Sequence, residues 1–170
     1  TKNVITLIKA INLIPCNYNV KFTIIGSGPD EGSIKNLISK LGLSNRIALI
    51  PFIPRSEILK HLELSDLYLF GSLKEACNLS LLEAMAIGLP VVCLNWSGMA
   101  ISTDDSCAIR LPVSTPRQMP KDMAAAIIKL IKNPELRESM GKAGRKRIKE
   151  IFNWENKGNF INQLLDSMQG

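Results

Sequence analysis

Residues 67–95 constrain this chain more than any other stretch. An apolar run, Leu67 to Phe70, leads into a polar loop, a short helix stopped by Gly88 and Pro90, and a second apolar run, Val91 to Leu94. That spacing predicts a βαβ unit. Two carboxylates, Glu75 and Glu83, stand around the start of its helix. A helix start offers unpaired N–H groups and partial positive charge, so it suits an anion such as a diphosphate. Carboxylates would repel that anion unless each accepts hydrogen bonds from hydroxyls flanking it, ribose on one side and a sugar on the other. A ligand with that order of groups is a nucleotide-sugar. Two plainer readings stay open on the residues alone. Ser80-Leu-Leu-Glu83 has the pattern of a capping box, which would tie Glu83 back to the helix start. Glu75, next to Lys74, also reads as a solvated loop charge. Leu81, Leu82, Met85 and Ile87 read as core.

The rest of the chain alternates helices and strands. Val4, Leu7, Ile8, Ile11 and Ile14 fall at helical spacing, with Asn3 as N-cap. Val20 to Ile25 reads as a strand ending at Gly26-Ser-Gly28-Pro29. Pro29 opens a helix with Ile34, Leu37, Ile38 and Leu41 on its buried face, closed by Gly42. Ile47 to Ile50 is a strand, Pro51 to Pro54 a loop, and Ser56 to Leu64 a helix. Beyond the central unit, Ser97-Gly98 begins a loop and Cys107 to Leu111 is a short strand. Lys121 to Ile131 is a helix, and a long helix follows with Asn133 as cap and Pro134 in its first turn. Phe152-Asn-Trp154 breaks it, and a last helix runs to about Met168. This order predicts an α/β fold, a doubly wound parallel sheet wrapped on both faces. Such a domain normally opens with a strand, whereas this chain opens in a helix. The expectation is the C-terminal portion of a longer protein, with the first strand missing from the chain.

Composition removes several function classes. With 170 residues and 46% hydrophobic content the chain can bury a sizeable core. No apolar run approaches the roughly 18 residues of a membrane span, and its opening residues do not read as a signal peptide. Cys16, Cys77, Cys93 and Cys107 are far apart and there is one histidine, His61, so no zinc motif forms. Reduced thiols fit a cytoplasmic setting, with association at the inner face of a membrane left open. The net charge of +6 gathers late, at Lys142, Arg145, Lys146, Arg147 and Lys149. Leu136, Met140, Ile148 and Ile151 interleave with it at helical spacing, which predicts a solvated helix face. The basic run contains no aromatic residue to stack on bases, so nucleic acid is a weak partner.

Gly26-x-Gly28 after a strand invites a dinucleotide-binding reading, which fails because position 31 is Glu31 and no acidic residue ends the following strand. The residues instead resemble the C-terminal, donor-binding Rossmann-like domain of GT-B glycosyltransferases, the retaining family 4 or "group 1" transferases. The likeness runs through Thr1-Lys-Asn3, Ile24-Ile-Gly-Ser-Gly-Pro29, Pro51-Phe-Ile-Pro54, Ser65-Asp-Leu67 and Gly71-Ser-Leu-Lys-Glu75. It is strongest at Glu83-Ala-Met-Ala-Ile-Gly-Leu-Pro-Val-Val92, and ends in Asn133-Pro-Glu-Leu-Arg137, Met140-Gly141 and Phe152-Asn-Trp154.

That resemblance implies roles. Glu83 would bind the ribose hydroxyls and Glu75 the transferred sugar. Amides near Cys77, Asn78, Leu79 and Ser80 would hold sugar and diphosphate. Lys2 would belong to a phosphate clamp whose arginine lies before residue 1. Ile53 would contact the base, and Gly26 and Gly28 would border the cleft. Residues 1–151 would form the nucleotide-sugar-binding domain, and the helix of residues 152–170 would pack back toward an N-terminal domain that supplies the site for the acceptor, a glycan or a lipid-linked group. No cofactor and no obligatory metal is implied, and the isolated domain should be inactive. The chain departs from the family at Asn78 (usually glycine), at Gly71 (commonly proline) and at Ile101 (often glutamate). A side chain at 78 would either crowd the sugar or donate a hydrogen bond to it. A GT-B-like nucleotide-sugar epimerase and a non-catalytic nucleotide-sugar-binding module are the alternatives.

Overall fold

The computed structural model describes residues 2–169 apart from Cys77. Its elements alternate as α1 (Val4–Leu13), β1 (Phe22–Ile25), α2 (Glu31–Lys40), β2 (Ile47–Ile50), α3 (Arg55–Glu63), β3 (Tyr68–Phe70) and α4 (Leu79–Ile87). The order continues through β4 (Val91–Leu94), α5 (Ser97–Ser102), β5 (Ala108–Leu111), α6 (Met119–Lys132), α7 (Pro134–Ile151) and α8 (Trp154–Gln169). Every strand pair is parallel. The expected α/β architecture is present, but its sheet is in two pieces. β1 pairs with β2, from Phe22 opposite Ile47 to Ile25 opposite Ile50, while β3-β4-β5 form the second piece. Among the described residues no strand bridges β1 and β3, so each keeps one unpaired edge. Hydrophobic periodicity reports which face a strand buries and is silent about its ladder partner.

β4 is the most enclosed element, with Val91, Val92, Cys93 and Leu94 all fully buried. An uninterrupted apolar run is what a strand needs when helices cover both faces of its sheet. Val92 packs with Ala126, Leu130 and Met140, whereas Val91 and Cys93 join Leu81 and Met85 in the main core. That core also holds Leu7, Ile8 and Ile11 of α1 and reaches Phe22 and Ile24 of β1, so α1 ties the two sheet pieces together.

Helix ends follow local chemistry, with two exceptions. Asn3 occupies the α1 cap position in a left-handed conformation (φ 56°), but its Oδ1 accepts from Thr6 Oγ1 at 2.6 Å rather than from an amide. The expected loop at Ser97-Gly98 is instead the six-residue α5, a tertiary outcome: Gly98 is buried against the Glu75 loop, and Thr103 Oγ1 closes the far end on the Met99 carbonyl at 2.8 Å. α4 ends as the sequence predicts, at Gly88 with φ 95°, where Leu89 N–H reaches the Ala84 carbonyl at 3.0 Å.

α7 corrects the reading of the basic run as a solvated face. Lys142 and Lys146 do pair along the helix surface with Glu138 and Glu150. Arg145, however, donates to the Ala86 and Ile87 carbonyls at the end of α4. Arg147 donates to the Ser102 carbonyl at 2.8 Å, the Ile101 carbonyl at 3.0 Å and Asp104 Oδ2 at 2.6 Å. Both arginines therefore satisfy carbonyls that a helix leaves unpaired at its C-terminus, where its dipole favours a cation. Gly141 permits this closeness, since a Cβ there would lie 2.0 Å from the Gly88 oxygen.

Candidate functional site

In parallel sheets with helical crossovers, the loops leaving the carboxyl ends of the strands share one rim. Gly26 and Gly28 follow β1, Ile53 follows β2, the Glu75 loop follows β3, and Ser97 follows β4. The residues singled out from the sequence thus collect on a single side of the molecule. Cys77 lies outside the described residues.

Glu75 sits in the loop between β3 and α4. The Lys2 ammonium bonds Oε1, and Ser72 Oγ donates to the same oxygen at 3.1 Å. The Lys2 bond holds the Glu75 carboxyl below its usual value, against the upward pull of burial and with help from Ser72. Glu75 is 14% exposed while Lys2 is 63% exposed, so the cation reaches in from solvent over a largely covered carboxylate. The lysine Nζ also lies 6.0 Å from the centre of the Phe70 ring. Lys2, Lys74, Glu75, Ala76 and Ser97 line an open cleft of about 550 Å³. Asn78, Leu79 and Ser80 stand outside that lining.

The loop is braced from α5. Gly98 N–H donates to the Glu75 carbonyl at 2.9 Å, and Ser97 Oγ donates to the same oxygen. Contact is so close that a Cβ on Gly98 would lie 2.3 Å from the Ala76 oxygen. No sequence signal marked Ser97 and Gly98 as supports for Glu75, because they are separated from it by a strand and a helix.

Asn78 is the N-cap of α4: its Oδ1 accepts from the Leu81 amide at 3.2 Å and from Ser80 Oγ at 2.8 Å. The capping box read from Ser80 and Glu83 is therefore not formed, since Ser80 lies inside the helix and its hydroxyl is engaged by Asn78. Asn78 is buried, and its Nδ2 has no hydrogen-bond partner among the described residues. Its side-chain oxygen turns into the helix start and not toward the cleft. Leu79 and Ser80 are the first two residues of α4, where a helix supplies no acceptor of its own for the backbone N–H groups.

Glu83 projects from the middle of α4 to Arg55, whose Nε donates to Oε1 at 2.6 Å. Both carboxylates act on Tyr68, whose hydroxyl donates to Ser80 Oγ at 2.8 Å. Burial raises the Tyr68 pKa, and the charges of Glu83 and Glu75 add to it against the opposing Ser80 bond. No sequence signal pointed to Arg55 or Tyr68: the first reads as an ordinary charge at a helix start, the second as strand core. Gly26 and Gly28 are exposed at the end of β1 and Ile53 is half-buried beyond β2. They share the rim without a hydrogen bond to either glutamate.

Chemically, the rim offers two carboxylates able to accept hydroxyl hydrogen bonds, a cation beside each, and the first turn of a helix.

The family model "Glycosyl transferases group 1" matches residues 1–147. N-acetyl-alpha-D-glucosaminyl L-malate synthase of Bacillus anthracis is 29% identical over 156 residues, covering 91% of this chain and 39% of that protein. Among solved structures, sucrose-phosphate synthase from Thermosynechococcus elongatus superposes with a TM-score of 0.84 at 23% identity, over 98% of this chain and 42% of its own. S. aureus TarM, a G117R mutant in complex with Fondaparinux, alpha-GlcNAc-glycerol and UDP, gives a TM-score of 0.83 at 26% identity, over 95% of this chain and 32% of its own. This chain spans less than half the length of each of these proteins. With a family match over most of its residues and the same fold in these solved structures, the chain belongs to the group 1 glycosyltransferases.

Proposed function

We propose that this chain is the donor-binding half of a retaining glycosyltransferase that transfers a sugar from a nucleotide-diphosphate sugar to a glycan or lipid-linked acceptor in cell-surface polysaccharide synthesis. The observation that carries the reading is the pair of cation-matched carboxylates, Glu75 in the loop before α4 and Glu83 on α4 itself, with Leu79 and Ser80 in the first turn of the same helix. In this reading Glu83 accepts from the ribose hydroxyls and Glu75 from hydroxyls of the transferred sugar. The α4 start, with the amides of residues 77–80, receives the diphosphate. Lys2 stabilises charge that grows on the departing diphosphate, an interaction worth more in the transition state than in the ground state. Ile53 meets the base, and the Gly26 to Gly28 turn borders the cleft.

The acceptor site belongs to an N-terminal domain, and the isolated domain turns nothing over. Trp154, Phe160, Ile161, Leu164, Leu165 and Met168 of α8 are all exposed, a face suited to packing back on that domain. Among the described residues no helix is long and apolar enough to cross a membrane. The proposed setting is the cytoplasm, at the inner face of the membrane when the acceptor is lipid-linked.

Calorimetric titration of the full-length protein with UDP, GDP, ADP and CDP tests the reading. One of them should bind, and Glu83→Ala should abolish that binding with the melting temperature kept. A Glu83→Ala variant that binds as well as the parent refutes the assignment. An upstream half lacking any acceptor site would favour a binding module.

A further inference from the structure

A carboxylate serves a ribose well only if it is held in one rotamer, because two adjacent hydroxyls must be met together. Glu83 is 21% exposed and stands on α4, one face of which is locked against α3: Leu62, Ala84 and Leu89 form a buried cluster with Ile58, Leu59, Tyr68 and Ile87. That packing fixes the backbone at both ends of the Arg55–Glu83 pair. Arg55 is the first residue of α3 and follows directly on the loop that carries Ile53. Its contact uses one nitrogen, Nε, and one oxygen, Oε1. A carboxylate has about four acceptor positions, so a single donor leaves Oε2 and part of Oε1 free for a diol.

We propose that Arg55 is a positioning residue for the nucleotide's ribose. By holding one oxygen of Glu83 it aims the remaining lone pairs at the 2′- and 3′-hydroxyls, and it offsets a carboxylate charge that would otherwise repel the diphosphate. The inference rests on Glu83 being the ribose ligand. Structural stabilisation is a poor account of the pair, since Arg55 is 73% exposed and exposed ion pairs contribute about 0–1 kcal/mol. Charge arrangement supports the role. Lys2 matches Glu75 and Arg55 matches Glu83, so an anionic ligand meets a rim without excess negative charge.

The test uses the full-length protein, the tightest of UDP, GDP, ADP and CDP, and the 2′-deoxy form of that nucleotide. The parent should prefer the ribose form. Arg55→Ala should weaken ribonucleotide binding about 10-fold and shrink the ribose-to-deoxyribose preference, with an unchanged melting temperature. With the sugar donor, KM should rise and kcat hold, because the ribose is remote from the bond that breaks. Arg55→Lys should restore part of the affinity by returning the charge. If Arg55→Ala leaves the preference unchanged, or weakens both nucleotides equally, while Glu83→Ala abolishes ribonucleotide binding, the positioning role is overturned and the ribose assignment survives. If Glu83→Ala binds the ribonucleotide as well as the parent does, or the parent binds none of the four, the donor-site reading itself falls and Arg55 with it.

Discussion

Gly98→Ala is the sharpest probe of how Glu75 is held. A methyl carbon on Gly98 would lie 2.3 Å from the Ala76 oxygen and 2.9 Å from the Glu75 oxygen, whereas real Cβ contacts stop near 3.0 Å. Either the loop or α5 must retreat by about 0.7 Å. The obstacle is backbone on both sides, with no flexible side chain to swing away. Overpacking of this kind costs about 1–3 kcal/mol, and each kcal/mol lowers the melting temperature of a chain this size by roughly 2–4 °C. The retreat also stretches the Gly98 amide and Ser97 hydroxyl bonds to the Glu75 carbonyl. A shift approaching 1 Å beside reacting atoms can cost on the order of 100-fold in rate. In the full-length protein kcat should therefore fall by one to two orders of magnitude, while the affinity for the nucleoside diphosphate, which the proposed site assigns to Glu83 and α4, changes little. Steady-state kinetics, a binding titration and a thermal melt on one variant separate these effects. A Gly98→Ala protein with parental melting temperature and parental kcat would refute the brace.

Two further outcomes follow from the same geometry. Arg145→Ala removes the donors that satisfy the Ala86 and Ile87 carbonyls, and should cost about 1 kcal/mol in chemical denaturation with nucleotide affinity unaltered. For Glu75, whose carboxyl titrates below its usual value near 4.5, the stabilisation is complete above that value and is lost as pH falls through the lower, folded-state pKa. Urea midpoints measured from pH 6 to pH 3 should fall less steeply for Glu75→Gln than for the parent, and equal slopes would remove Lys2–Glu75 as a stabilising contact.

The β3–α4–β4 unit was legible because a fully enclosed strand and a glycine-stopped helix leave strong marks in apolar pattern and punctuation. For Glu75 and Glu83 the sequence located the positions, one in the loop before that helix and one on it. What escaped depends on residues distant in sequence. α5 forms because Gly98 can touch the Glu75 loop, a fact absent from the local propensity of Ser97-Gly98, which favours a loop. Arg145 and Arg147 looked solvated since their carbonyl partners lie on other helices. Asn78 was expected to face the sugar, yet its oxygen found a nearer use at the helix start. Arg55 shows the same limit: an exposed arginine after a proline carries no periodicity, so only the α3–α4 packing reveals its partner.

The division of the sheet bears on mechanical compliance. The turn at Gly26 to Gly28 and the Ile53 loop ride on β1 and β2, whereas both glutamates ride on the piece built from β3, β4 and β5. Across that division run apolar contacts of α1 and a few side-chain bonds, with no backbone ladder among the described residues. Ladders resist shear because bonds in register must break together, while methyl groups slide past one another at small cost. The rim that would grip the base and the rim that would grip the sugar are thus joined by the softer kind of coupling. A rigid ligand long enough to touch both would act as a splint, and its binding should register as lost motion between the two pieces more than as a change within either.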